Sequence, residues 1–496
     1  MSAPPVADVT GLKRHLGPWT LTALGIGAVI GGGIFVITGT AAAKYAGPAI
    51  VISFVISGIG CLFAGLCYAE FAAMYPVAGS AYSYSYAALG RGTAWFVGWN
   101  LVLEYLVSAS AVAVGWSGYF VGFLKSFGIV LAPALSSAPL TFSNTQGLVL
   151  TGAVINLPAI GLVLLLSSFL ITGVRETARA NAMMVAIKIT VVLLVILFGA
   201  GHIKAYHWQP FIPPNTGSFG HFGWSGVLAA SGLVFFAYIG FDAVSVAAQE
   251  ARNPQRDLPA GILASLLVCT VLYILMALVL TGLASYRTLD VADPVSFAVS
   301  QIPALQWLTI VVEFGATVGL ASVAFVGLYG QSRIFYSMAR DGFLPPIFCY
   351  VHPRFRTPFL GTIMTGAVAA SLAGLFPIGV LSELVSIGTL CAFSMVCVGV
   401  MLLRVREPNA SRPFRTPMVW VVAPAGLAIC LIMMYSLPAA TWIRLGVWTT
   451  AGFGIYFGYG MFHAAHRPAW QPDTAAIIPG TLAGTLSLTK DPTADP

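Results

Sequence analysis

The sequence predicts an all-α integral membrane protein of about twelve transmembrane helices, and three observations predict it. Hydrophobic residues make up 58% of the 496 and charged residues only 8%; soluble domains carry about 25% charged residues, so no single aqueous core could bury this much apolar surface. Apolar runs of roughly 20 residues, the length that crosses a bilayer as a helix, recur along nearly the whole chain. The third observation is charge placement. With alternating loops, only Lys44, Lys125, Lys204, Arg287 and Arg444 of the 23 basic residues fall on the external side, and Lys188 falls inside a run. All the others are cytoplasmic, which puts both termini in the cytoplasm and makes the net charge of +7 a matter of topology. Basic residues scattered singly give no footprint for nucleic acid.

In order, the runs centre near Ile26, Ile59, Leu106, Val163, Val192, Phe235, Tyr273, Phe325, Ala369, Val396, Ile429 and Ile455. Residues 1–18 open polar, without the short apolar core and cleavage site of a signal peptide, and read as a retained cytoplasmic segment. Spans one to ten occupy 19–405, spans eleven and twelve 406–466, and the Pro/Thr/Ala-rich residues 467–496 read as a disordered cytoplasmic tail. Two external segments, 125–153 and 201–224, are expected to lie flat on the membrane surface. In cytoplasmic GSAYSYSYAALGRG, Tyr82, Tyr84 and Tyr86 are expected to form an interfacial belt, with a gate over an inner vestibule as the alternative. The seven cysteines read as small packing residues with no disulfide framework. No metal site is expected, because His202, His207 and His221 share a loop without helical spacing to a carboxylate.

Two runs look damaged. The first contains GAVIGGGIF, with Gly31, Gly32 and Gly33 consecutive, and the sixth contains FFAYIGFD, with Gly240 and Asp242 in mid-membrane. Each opens a set of five spans. Interrupted helices at matched positions of two halves point to a 5+5 inverted-repeat transporter with its site at the bilayer midplane, spans eleven and twelve lying outside the repeats. Backbone groups freed in lipid cost several kcal/mol each when unpaired, so a break persists where something polar meets it. A half-helix starting near Gly33 offers amide N–H groups and a positive dipole end to a carboxylate. Half-helices ending near Val29 and Phe236 offer carbonyl oxygens to an ammonium group. An α-amino acid carries both charges at that separation. The alternative use of the glycines is close helix packing.

The intramembrane charges are few. Lys188 lies well inside the fifth span, where it reads as a proton-coupling residue, with snorkelling to the cytoplasmic interface as the alternative. Glu104 in the third span is a candidate partner for substrate or proton. Asp242 and Glu313 suit structural hydrogen bonding, and Glu70 a cap or gate near the cytoplasm.

Several motifs occur in an order that resembles the amino acid–polyamine–organocation (APC) superfamily, specifically bacterial members of its cationic amino acid transporter branch. They are GIGAVIGGGIFVITG, YAEFAAMYPVAGSAYSYSY, LEYLVSASAVAVGWSGYF, FFAYIGFDAVSVAAQEARNPQRDLP and GQSRIFYSMARDGFLPPIF, and the likeness spans roughly 10–465. The resemblance implies a LeuT-like fold and proton-coupled amino acid uptake by alternating access. It implies that Gly32 and Gly33, at the break beginning with Gly31, hold the substrate carboxylate through main-chain amides. Main-chain oxygens of Val29, Phe236, Ala237 and Ile239 would hold the ammonium, and Phe236 would close the site from outside. Lys188 matches a fifth-span lysine standing where sodium-coupled relatives hold sodium, Glu104 a third-span acid near the site, and Leu320 a position that influences side-chain selection. Gly32 departs from the small hydroxyl residue usual there. With Leu320 apolar, the expected substrate is a small neutral amino acid such as alanine; a cationic amino acid transporter or an exchanger of the same fold is the alternative.

An enzyme is not expected: there is no HExxH, no GxSxG and no His inside a span. The expected partners are an amino acid and membrane lipids, with a small membrane accessory subunit left open; the expected location is the cell (inner) membrane. No cofactor is expected, the proton being the coupling ion.

Overall fold

A computed structural model describes residues 16–75, 80–143, 147–172, 178–246, 248, 251–352 and 357–465. Most of the N-terminal segment and the tail 467–496 therefore lie outside the described residues. Every predicted run is helical. Span 1 is split into Pro18–Val29 and a second half over 33–46, span 2 is Ile50–Met74, and a cytoplasmic helix Ser80–Leu89 leads to span 3, Arg91–Ser126. Spans 4 and 5 are Leu157–Thr172 and Ala178–Ala200. Span 6 begins as Gly223–Val234, tightens over Phe235–Tyr238 and resumes at Ala243–Val246. Spans 7 to 12 are Pro254–Leu283, Gln306–Arg340, Phe359–Leu375, Ile378–Arg406, Val419–Ser436 and Ala439–Ile455. Among the described residues, eight segments are long and apolar enough to cross a membrane by themselves.

The helix ends follow local chemistry. Pro18, Pro254 and Pro294 stand in first turns, where the missing N–H would have had no helical partner. Gly47 (φ 61°) and Gly90 (φ 88°) turn the chain into spans 2 and 3 in a backbone region that side chains disfavour.

Between apolar helices in lipid the hydrophobic effect does not choose partners; close approach and hydrogen bonds do. Ser53 and Ser57 of span 2 donate to Val227 O and Ser231 O of span 6, at 2.8 and 2.6 Å, and Tyr238 donates back to Phe54 O at 2.8 Å. Span 8 lies against span 3 where Gly330 faces the Tyr105 ring; a Cβ at Gly330 would come within 2.6 Å of it.

One loop gains an element that the sequence reading did not foresee, and one loop expectation changes. The 125–153 segment contains an antiparallel hairpin, Leu140–Ser143 paired with Gly147–Leu150. Outside the hydrocarbon the helix requirement lapses, and Leu, Val, Phe and Thr can pair as strands. The tyrosine belt is not formed. Tyr82 and Tyr84 are 4% and 0% exposed, Tyr82 donates to Asp341 at 2.7 Å, and Tyr84 stacks on Phe71. Helix Ser80–Leu89 packs inward on spans 2, 3 and 10, and that tertiary contact takes the rings away from the interface.

Candidate functional site

The broken spans meet at their breaks. Ile30 turns extended (ψ 103°) after the first half of span 1, and a short π-helical stretch starts at Gly33. The first amides of that half-helix have no helical acceptor, and the last carbonyls of the preceding half have no helical donor. The three glycines divide the work. A Cβ on Gly33 would collide with Ala237, so this glycine serves the close packing of span 1 on span 6. A Cβ on Gly31 would press on Val323 of span 8 at 3.3 Å. A Cβ on Gly32 would clear its neighbours, with Phe236, Ile378 and Val112 at 3.6, 3.7 and 3.8 Å. The space at Gly32 is therefore lined by apolar side chains from spans 6, 10 and 3.

Tyr273, at the middle of span 7, is the residue the sequence reading missed. Its hydroxyl lies 2.9 Å from Val29 O and 2.8 Å from Ala237 O, bridging the carbonyl ends of both breaks. One hydroxyl hydrogen serves one of these acceptors at a time, so the other keeps a lone pair for a different donor. The available signal was a phenol within the otherwise apolar run LLVCTVLYILMALVL. Of the other carbonyls expected to face an ammonium, Phe236 O accepts from Ile239 N at 3.3 Å, while Ile239 is extended (ψ 137°).

Lys188 is fully buried, and its Nζ donates to Gly27 O at 2.5 Å, two residues before Val29. Gly319 of span 8 provides the room, because a Cβ there would overlap the lysine methylenes. Snorkelling is thus excluded: the side chain is committed to span 1. Leu320, next to Gly319, is buried, but the span 8 side chain against Gly31 at the break is Val323, one turn further on. Glu104 is buried at 2% exposure near Asp242, which accepts from Tyr105 at 2.9 Å.

The two faces of the site differ. A cavity of about 650 Å³ descends between Val36, Gly115, Ile378, Glu383 and Arg444 on the side bearing the hairpin. Ile378 lines this cavity and also borders the space at Gly32. On the other side Phe235, Phe241, Phe393, Tyr68 and Tyr84 form an aromatic cluster, most of its pairs edge to face. Beyond them, Glu70 is clamped by Arg404 through two 2.8 Å bonds, by Arg412 at 3.3 Å and by Thr416 N at 2.8 Å. Backbone polar groups bared at two helix breaks deep in the bundle are an arrangement that a small charged solute can satisfy.

Comparison with known proteins agrees. Residues 16–462 match the model of the family described as amino acid permease. The chain belongs to the amino acid permease family. Within the APC superfamily, the permease is 46% identical to a methylthioribose transporter of Bacillus subtilis over 91% of its own length and 95% of the relative's. It is 45% identical to a branched-chain amino acid permease of the same organism, over 91% and 94%. Cationic amino acid transporter 4 of Homo sapiens is 34% identical over 81% of the permease and 61% of that longer chain. These relatives are transporters, and the permease is an integral membrane member of their family.

Proposed function

We propose that the permease imports neutral L-amino acids with small apolar side chains, alanine among them, by proton symport with alternating access across the cell membrane. The observation that carries this reading is the apolar space at Gly32, set between the amide end of one half-helix and the carbonyl ends of two others. The amides at Gly31, Gly32 and Gly33 receive the substrate carboxylate. The ammonium takes carbonyls of Val29, Phe236, Ala237 and Ile239, and Tyr273 yields whichever of its two acceptors the substrate claims. Val112, Phe236 and Ile378 then face the side chain, and Leu320 on span 8 keeps the selectivity role that the family resemblance implies.

In this reading the broken spans form a LeuT-like inverted-repeat core within 19–405, with 406–466 outside it. The cavity beside the hairpin is external, and both termini are cytoplasmic, as the charge bias predicts. Lys188 couples the proton, since any change in its charge is felt at Gly27 O, just before the break. Glu104 is the second proton group. The partners in this reading are the amino acid and membrane lipids, with a small membrane accessory subunit left open, and the proton is the coupling ion in place of any cofactor.

A second reading, uptake of cationic side chains, draws on the buried acids Glu104 and Asp242 and on the name of the human relative. Purified protein in liposomes separates the two. Labelled alanine should accumulate under an inward proton gradient and be competed by neutral amino acids more strongly than by arginine or lysine. Dominant competition by arginine would replace the first reading with the second, and uptake indifferent to the gradient would make the protein an exchanger or facilitator.

A further inference from the structure

The seam between spans 3 and 10 contains polar atoms that lack partners although they are sealed from solvent. Asn100 and Glu104 lie four residues apart on span 3, on one helix face. Asn100 donates its amide to Phe96 O at 2.9 Å, leaving Oδ1 without a hydrogen bond. Glu104 Oε2 is likewise unpartnered. Across the seam stand Gly388 and Thr389 of span 10. A Cβ on Gly388 would come within 3.7 Å of Asn100 Oδ1, which puts that oxygen against this turn. The Thr389 hydroxyl faces the Glu104 carboxyl but falls outside direct hydrogen-bond geometry, and it too has no partner. Asn100 and Thr389 are both 0% exposed and Glu104 is 2% exposed.

Each such orphan costs about 1–3 kcal/mol, so three at one helix–helix contact are not incidental. A shared buried water needs two to four polar partners, and this turn presents an amide oxygen, a carboxyl oxygen and a hydroxyl. The groups facing Glu104 from the neighbouring elements are Asp242, beyond the span 6 break, and Tyr105 on its own helix, whose hydroxyl is spent on Asp242. No cationic side chain competes for the place among the described contacts of these residues.

We infer that Asn100, Glu104 and Thr389 form a buried water seat, whose water holds the proton on the Glu104 carboxyl during transport. The carboxyl O–H donates to the water, and the water donates to Asn100 Oδ1 and shares the Thr389 hydroxyl. The proton itself stays on Glu104, because an amide oxygen accepts a hydrogen bond but is too weak a base to take the proton. The inference rests on the proton-symport reading for its transport consequence, but the seat itself does not.

Thr389→Val and Asn100→Leu keep volume and remove the polar partner. In proteoliposomes each should lower accumulation driven by a proton gradient by about tenfold, the worth of one lost buried hydrogen bond. Gradient-free exchange of labelled substrate should stay within about twofold of wild type, because neither residue faces the space at Gly32. Infrared difference spectroscopy, with the band of Glu104 assigned by its loss in Glu104→Gln, reports the seat directly. The carboxyl stretch should shift in Thr389→Val and respond to replacement of H2O by D2O in wild type. Full accumulation together with an unmoved band in both variants would overturn the inference. A wild type that ignores the gradient would remove the symport reading, and the infrared band alone would then decide the seat.

Discussion

Lys188 Nζ reaches Gly27 O from span 5, and Gly319 of span 8 leaves the space through which its methylenes pass. Three spans therefore share one buried cation beside the break in span 1. Replacing Lys188 by Ala should abolish gradient-driven accumulation, a loss of at least about tenfold given the worth of a charged hydrogen bond. Substrate-for-substrate exchange should survive. Accumulation at the wild-type level would retire the coupling role of this lysine.

Tyr273 should matter to binding and not only to packing. Tyr273→Phe keeps the ring and removes the hydrogen that satisfies Val29 O or Ala237 O in turn. A stranded carbonyl costs about 1–3 kcal/mol, so alanine affinity measured by calorimetry or scintillation proximity should change by about five- to a hundredfold, with the fold retained. An unchanged affinity would show that both carbonyls stand outside the substrate path.

The acids under the short helix Pro294–Ser300 predict a pH effect outside the spans. A Cβ on Gly122 of span 3 would come within 3.2 Å of both Asp293 Oδ2 and Glu313 Oε1, so the two carboxyls face one another across that point. Glu313 accepts from Ser126 at 2.8 Å and Ser296 at 3.0 Å. Burial and then Glu313 raise the Asp293 carboxyl from 3.8 to about 7, against smaller opposing effects of its own backbone amide and Lys125. A raised carboxyl favours the protonated fold, so this contribution to stability is complete below about pH 4 and is lost as pH rises to about 7. Thermal unfolding in detergent should show that decline in wild type and a flatter profile in Asp293→Asn. Parallel profiles would disconnect the pair from stability.

The Glu70 cluster should be the most fragile ionic contact. Arg412 also donates to Leu403 O and Glu407 O, closing the end of span 10. Glu70→Ala leaves two enclosed guanidinium groups without a counter-charge, at a cost of about 3–5 kcal/mol, and should lower the unfolding temperature sharply. Glu383, which receives Thr441 at 2.9 Å and Arg444 at 3.4 Å beside the open cavity, should be more tolerant because water can reach that cluster. Equal losses at the two positions would contradict this ordering.

Composition and run length determined that the chain is a helical membrane protein, and local chemistry determined where two of its helices fail. Three glycines at 31–33 and Gly240 before Asp242 are visible without a fold, because helix propensity is a property of the nearest few residues. Lys188 and Glu104 were also legible, since an isolated charge in an apolar run is conspicuous. Tertiary structure decided what each feature meets. It spent Gly33 on Ala237 and left room at Gly32, brought Tyr273 between two carbonyls distant in sequence, and turned Tyr82 and Tyr84 inward. It also closed Glu70 against Arg404 and Arg412. Such pairings depend on which helices touch, and in lipid that choice is made by small residues and polar contacts spread over the whole bundle, which no single stretch of sequence encodes.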